Sequence, residues 1–131
     1  MGQITFSKTA AVILGVMSAN AAHAANWIEV ATDRDGTIYY YDAESLRSVN
    51  GQIAVWEMLD AKNNRTAKYR SKKIRILYDC VKETRGYMAI ITYDADGSVL
   101  DSTDYDDYLI DRKNIVPDTI GEVQFKAICK N

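Results

Sequence analysis

Histidine and cysteine are almost absent from this chain of 131 residues, which has one histidine and two cysteines. Histidine is the usual acid–base group near neutral pH, and both residue types are the main ligands of zinc. The sequence also has no G-x-S-x-G nucleophile motif and no P-loop for phosphate. We therefore expect a protein that is not an enzyme, with no catalytic residues, no metal site and no cofactor.

Long apolar runs are confined to the start of the chain. Lys8 precedes an apolar segment, Thr9 to Ala19, and Ala22-His23-Ala24 fits the A-x-A cleavage pattern. The segment is too short to span a bilayer, so residues 1–24 are predicted to be a secretory signal peptide. The residue directly after the cleavage site is Ala25 and not the cysteine that lipid attachment requires. The mature protein is therefore predicted to be periplasmic or secreted, not a lipoprotein, and without a stable membrane anchor.

The remaining residues, 25–131, are long enough for one domain with a modest core. Short turn signals, including Asn50-Gly51 and two copies of D-x-D-G, separate segments rich in β-branched and aromatic residues. The predicted strands are Trp27–Thr32, Thr37–Tyr41, Gln52–Leu59, Ala67–Cys80, Thr84–Tyr93 and Ser98–Asp104. Six strands joined by short turns predict an α+β domain built on an antiparallel sheet.

The last sixteen residues, Val116 to Asn131, are predicted to contain a helix. Pro117 suits a first helical turn, and Thr119 with Glu122 fits a capping box. Apolar residues recur on one helical face, and that face includes Cys129. Cys80 ends the apolar side of a strand, so we predict a Cys80–Cys129 disulfide that attaches the helix to one face of the sheet. Two buried free thiols are the alternative.

Several motifs follow one another in an order that resembles a known family. The motifs are Trp27, Ile38-Tyr39-Tyr40-Tyr41-Asp42, Ser45-Leu46, Val55-Trp56, Asp79-Cys80 and Val116-Pro117-Asp118-Thr119-Ile120-Gly121-Glu122 running on to Cys129. Together they resemble the surface-adhesin protein E family of Gram-negative bacteria. The resemblance implies a six-stranded antiparallel sheet with a disulfide-tethered C-terminal helix. It also implies an adhesin-like function, in which the partner is a protein, a cell-envelope component or an extracellular-matrix component.

A basic run surrounds the start of the fourth predicted strand. Strand alternation places Lys73 and Arg75 together on the sheet face away from the helix, whereas Arg70 and Lys72 begin on the other face. Alternation also places some tyrosines on the face without the helix, where they offer contact area at low entropy cost. The candidate partner-binding residues are Lys68, Arg70, Lys72, Lys73, Arg75, Tyr39 and Tyr41. The alternatives are ordinary sheet packing and a charged edge that prevents aggregation.

An acidic run begins at Asp94, in the turn before the sixth predicted strand, and continues to Asp111. Calcium binding is one hypothesis, but an EF-hand alignment on Gly97 puts Thr92 and Thr103 where acidic ligands belong. Pairing of the acidic run with the basic run would give a homodimer. Asp101 and Asp104 could serve a small periplasmic hydrolase, and a structural or stress-related protein without a ligand is a further alternative. Nucleic acid is not expected, because the chain is net acidic and predicted to be exported.

Overall fold

The computed structural model describes residues 24–130. The predicted signal peptide therefore lies, apart from Ala24, outside the described residues. The strands are β1 (Trp27–Thr32), β2 (Ile38–Asp42), β3 (Arg47–Val49), β4 (Gln52–Asp60), β5 (Ser71–Asp79), β6 (Thr84–Tyr93), β7 (Val99–Asp104) and β8 (Lys113–Asn114). The α-helix is α1 (Ile120–Ile128), and single 3-10 turns occur at Ala43–Ser45 and Asp107–Leu109.

All strands form one antiparallel sheet in the order β1-β2-β4-β5-β6-β7. The two short strands lie off this path: β3 pairs with β4, and β8 pairs with β6. The predicted α+β fold with a sheet and a C-terminal helix is confirmed, and the six predicted strands are the six long ones. β3 and β8 were not predicted, because two or three residues are too few to show an alternating pattern.

Each D-x-D-G turn is organised by its first aspartate. Asp33 Oδ1 accepts hydrogen bonds from the amides two and four residues later, at 3.0 Å each. Asp94 Oδ1 does the same, at 3.1 and 2.9 Å. Gly36 and Gly97 close the turns with φ of 96° and 89°, where side chains are disfavoured. The turn geometry therefore accounts for these acidic residues, and residues 24–130 contain no acidic, histidine or cysteine cluster that could hold a metal ion.

The helix begins later than its proline suggests. Asp118 has a positive φ of 61°, which interrupts helical geometry, so Pro117 lies before the helix rather than in its first turn. Thr119 is the N-cap, and its Oγ1 accepts a hydrogen bond from the Glu122 amide at 3.2 Å. Glu122 Oε1 reaches back to the Asp118 amide at 3.2 Å. The capping box is thus present, except that the Glu122 side chain accepts from the amide of the residue before the N-cap rather than from the N-cap amide itself.

The hydrophobic core lies between α1 and one face of the sheet. Its buried members are Tyr41, Val55, Ile74, Ile76, Tyr78 and Ile128. Phe125 and Cys129 pack against this cluster, and the ring of Phe125 lies 6.2 Å from that of Tyr78. The predicted disulfide is confirmed: Cys80 and Cys129 are bonded, with Cα atoms 5.6 Å apart. The helix is therefore held by apolar packing and by a covalent bond at its C-terminal end.

Candidate partner-binding surface

The sheet face opposite α1 is not covered by a helix of residues 24–130. Ile74 and Ile76 point into the core, so alternation turns Lys73 and Arg75 to the opposite face. The strand register places aromatic and aliphatic neighbours beside them. We name this surface the open face and define it as Trp27, Tyr40, Trp56, Met58, Lys73, Arg75, Ile91 and Tyr93. All eight side chains are half-buried, so each presents part of its surface to solvent.

Lys73 occupies the middle of the open face. Its Nζ lies 5.9 Å from the centroid of the Trp27 ring and 5.4 Å from that of the Tyr93 ring. Such cation–π contacts contribute about 0.5–1 kcal/mol each at exposed sites. They keep the ammonium group against flat aromatic surfaces contributed by β1 and β6. The open face therefore combines aromatic contact area with the positive charges of Lys73 and Arg75.

The other predicted basic residues do not join the open face. Lys72 lies opposite Leu59 on the helix side of the sheet, with its Nζ 4.6 Å from the centroid of the Tyr69 ring. Arg70 precedes β5 and forms an ion pair with Asp60, at 3.6 Å between Nε and Oδ1. Lys68 is exposed in the loop between β4 and β5. The basic run is therefore divided between one loop and two sheet faces.

The two predicted tyrosines lie on the helix side, and Tyr40 takes the place on the open face. Tyr41 is a core residue with only 9% of its surface exposed. Tyr39 is half-buried, and its hydroxyl donates to Asp33 Oδ2 at 3.0 Å. Burial and this hydrogen bond raise the pKa of Tyr39 to about 12. Three consecutive tyrosines have no polar–apolar alternation, so the sequence pattern could not indicate which of them faces the core.

A buried polar network connects α1 to the sheet on its helix side. Glu57 is 1% exposed and accepts hydrogen bonds from the Tyr78 hydroxyl and from Gln124 Nε2, the latter at 2.8 Å. Arg85 Nη1 donates to Gln124 Oε1 at 2.7 Å. Sequence reasoning missed this network because Glu57, Arg85 and Gln124 are distant in the chain. The one available signal was a lone glutamate within the apolar strand β4.

Comparison with protein-family profiles returned one family, described as surface-adhesin protein E, over residues 27–130. The match covers most of the chain, from the first residue of β1 to the end of the described region. The chain belongs to the surface-adhesin protein E family. No curated protein sequence and no solved structure matched the chain. Family membership indicates an adhesin-like surface protein.

In this protein E-family domain, the two carboxylates of the hydrolase alternative, Asp101 and Asp104, both lie on β7. In the pairing of β6 with β7, Asp101 is opposite Thr92 and Asp104 is opposite Ala89. These positions lie on different faces of the sheet, because they are an odd number of residues apart. Glycoside hydrolysis requires two carboxyl groups that flank a single bond. Asp101 and Asp104 therefore do not form the acid pair that the hydrolase alternative requires.

Glu57 is the one strongly perturbed carboxyl group of the buried network. Burial raises its pKa to about 7, and the Tyr78 hydrogen bond and the positive charge of Arg85 offset part of that increase. Burial, together with the neighbouring Glu57, also raises the pKa of Tyr78 well above its usual range. Because both carboxylate oxygens of Glu57 are engaged by Gln124 and Tyr78, we interpret the network as a structural link between helix and sheet.

No helix within residues 24–130 combines the length and the apolar character needed to cross a bilayer.

Proposed function

We propose that this protein is an exported, non-enzymatic binding protein of the protein E family that contacts a protein or a cell-envelope polymer through its open face. In this proposal, residues 1–24 direct export and are removed. The mature domain then acts in the periplasm or outside the cell, without a lipid anchor. The partner carries negative charge, which complements the positive charges of Lys73 and Arg75.

The position of Lys73 between the Trp27 and Tyr93 rings is the observation that carries this proposal. A sheet face that only faces water is usually polar, whereas this one exposes parts of two tryptophans and two tyrosines around two basic side chains. Tryptophan, tyrosine and arginine are the residues that most often dominate binding energy at protein interfaces. A partly exposed surface with this composition favours a binding role over a purely structural one.

Reversal of the two positive charges should weaken partner capture. We expect Lys73→Glu combined with Arg75→Glu to reduce the affinity of the domain for its partner at least about tenfold, because charge repulsion replaces attraction across the interface. The measurement is biolayer interferometry against extracellular-matrix proteins, peptidoglycan and a cell-envelope extract, at low and moderate salt. Binding by the unmodified protein should weaken as salt increases.

A matched control uses the helix side of the molecule. Lys126→Glu combined with Lys130→Glu makes the same change in net charge at exposed positions away from the open face. This control should bind like the unmodified protein. Equal weakening by both pairs of substitutions would show that net charge alone, and not the open face, determines binding. An absence of saturable capture by any of the probes would contradict the proposed binding function.

Export has a separate test. When the full chain is expressed in a Gram-negative host, the periplasmic or secreted protein should begin at Ala25 or within a few residues of it, because Ala22-His23-Ala24 fits the cleavage pattern. N-terminal sequencing and intact mass of the fractionated protein measure this directly. A full-length protein confined to the cytoplasm, or a lipid-modified N-terminus, would contradict the proposed localisation.

A further inference from the structure

A groove of about 710 Å³ separates the N-terminal end of α1 from the start of β6 and the segment 105–116. Its volume is in the range of ligand-binding pockets. Its apolar walls are formed by Tyr87, Tyr105, Leu109, Ile115, Val116 and Ile120. Four of these, Tyr87, Tyr105, Leu109 and Val116, are among the exposed large hydrophobic residues of the described chain. Clustering of exposed apolar side chains around a concavity is typical of a binding site.

Arg85 brings a positive charge to this groove. Its guanidinium is half-buried, lies 6.0 Å from the centroid of the Tyr87 ring, and donates through Nη1 to Gln124. The ion pairs found among residues 24–130 do not include Arg85. The nearby Glu57 is linked to it through Gln124, and both Glu57 oxygens already accept hydrogen bonds. Arg85 therefore lacks a directly contacting carboxylate.

The glycine at the start of the helix makes room for this guanidinium. A Cβ on Gly121 would lie 2.8 Å from Arg85 Nη2, which is closer than such atoms approach each other. Asp111 and Lys113 at the groove form an ion pair with each other, at 2.9 Å, so their charges offset one another. The groove therefore has apolar walls and one cation without a directly contacting carboxylate, which is complementary to an apolar ligand that ends in an anion.

We propose that this groove binds the C-terminal end of an extended peptide or protein segment whose last residues are apolar. The terminal carboxylate accepts hydrogen bonds from Arg85, and the apolar side chains pack against the groove walls. Arginine is suited to this role because its planar group binds carboxylates through paired donors. Charge complementarity at Arg85 selects the carboxylate end of the chain.

The backbone at the groove favours a peptide over an acyl chain. β8, which lines the groove through Lys113 and Asn114, has β6 as its sole strand partner among the described residues. Its other edge is available to pair with an extended segment, as in strand addition. An acyl chain has no donors or acceptors along its length to pair with this edge. The proposal does not depend on the open face, because the groove and the open face share no residue.

The test is fluorescence polarisation with the full chain and an N-terminally labelled hexapeptide that ends in three leucines. The peptide with a free carboxylate should bind saturably, and the same peptide with a C-terminal amide should bind at least about tenfold more weakly, because a charge-assisted hydrogen bond is lost. Arg85→Gln should reduce affinity for the carboxylate peptide by a similar factor and should not change affinity for the amide.

Two exposed leucines provide variants that leave the core intact. Leu109 is 56% exposed in the groove wall, and Leu100 is 53% exposed on β7, outside it. Leu109→Glu should weaken peptide binding at least about tenfold, because it replaces an apolar side chain of the groove wall with a negative charge that repels the anionic ligand, whereas Leu100→Glu should not. The open-face variant Lys73→Glu/Arg75→Glu should bind the peptide normally, which separates this proposal from the proposed function.

Three results would overturn the inference. The first is an absence of saturable binding by the carboxylate peptide. The second is equal affinity for the carboxylate and amide forms, which would remove the role of Arg85. The third is saturable binding of labelled dodecanoate, sensitive to Leu109→Glu, without binding of the peptide, which would assign the groove to an acyl-chain ligand.

Discussion

Replacement of both cysteines, as Cys80→Ala with Cys129→Ala, should lower the free energy of unfolding by about 4 kcal/mol. The bond closes a loop between residues 49 positions apart, and its removal enlarges the conformational freedom of the unfolded chain. A loss of this size is a large fraction of the stability of a domain of about 100 residues. Chemical denaturation, monitored by far-UV circular dichroism, measures it.

The loss should be accompanied by a local change at the helix. The disulfide attaches the C-terminal end of α1, while Gln124 and Ile128 contact the sheet by non-covalent interactions alone. Amide exchange in α1 should therefore accelerate more than exchange in β4 and β5. Chemical reduction of the unmodified protein should reproduce both effects. Unchanged thermal stability in the double variant would contradict the tether.

Stability should decrease as the pH rises from 5 to 8, by about 2–3 kcal/mol. Glu57 holds its proton more strongly in the folded protein, where its pKa is about 7, than in the unfolded chain, where it is 4.5. A raised pKa in the folded state contributes stability below the unfolded pKa, and that contribution is lost as the pH passes through the folded pKa. Urea denaturation at several pH values measures this dependence.

Glu57→Gln is the control, because the amide has nearly the same volume and cannot ionise. This variant should show a much flatter stability profile between pH 5 and 8. Two other candidate groups do not contribute between pH 5 and 8. The single histidine, His23, lies in the predicted signal, and the pKa of Asp33 is lowered, so that Asp33 affects stability only below about pH 4. An equally steep profile in Glu57→Gln would show that another group causes the dependence.

Much of the fold was predictable because its signals are local. β1 and β6 have the predicted bounds, since a D-x-D-G turn follows each strand and marks its C-terminal end. Thr119 and Glu122 indicated the helix start through a capping box that needs only four residues. Pro117 suggested that the helix starts earlier than it does. The structure differs because Asp118 has a positive φ, a backbone property that residue type does not determine.

The candidate surface was only partly predictable. The placement of Lys73 and Arg75 on the face away from the helix followed from alternation with Ile74 and Ile76, and the structure places both residues on that face. The tyrosine run offered no such alternation. Its register relative to the core depends on packing against Val55 and Ile128, which are distant in the chain. Tyr40 was therefore not predicted on the open face.

The sequence by itself determined the six long strands, the turns, the capped helix and the cysteine pairing, because each depends on short-range chemistry or on having only two cysteines. The tertiary structure alone decided which tyrosine faces solvent, how Glu57 is buried, and where the groove beside Arg85 lies. The tyrosines lie on β2, the Glu57 network joins β4, β6 and α1, and the groove lies beside that network at β6 and α1. Burial and charge compensation depend on distances between residues far apart in sequence, and no local pattern encodes those distances.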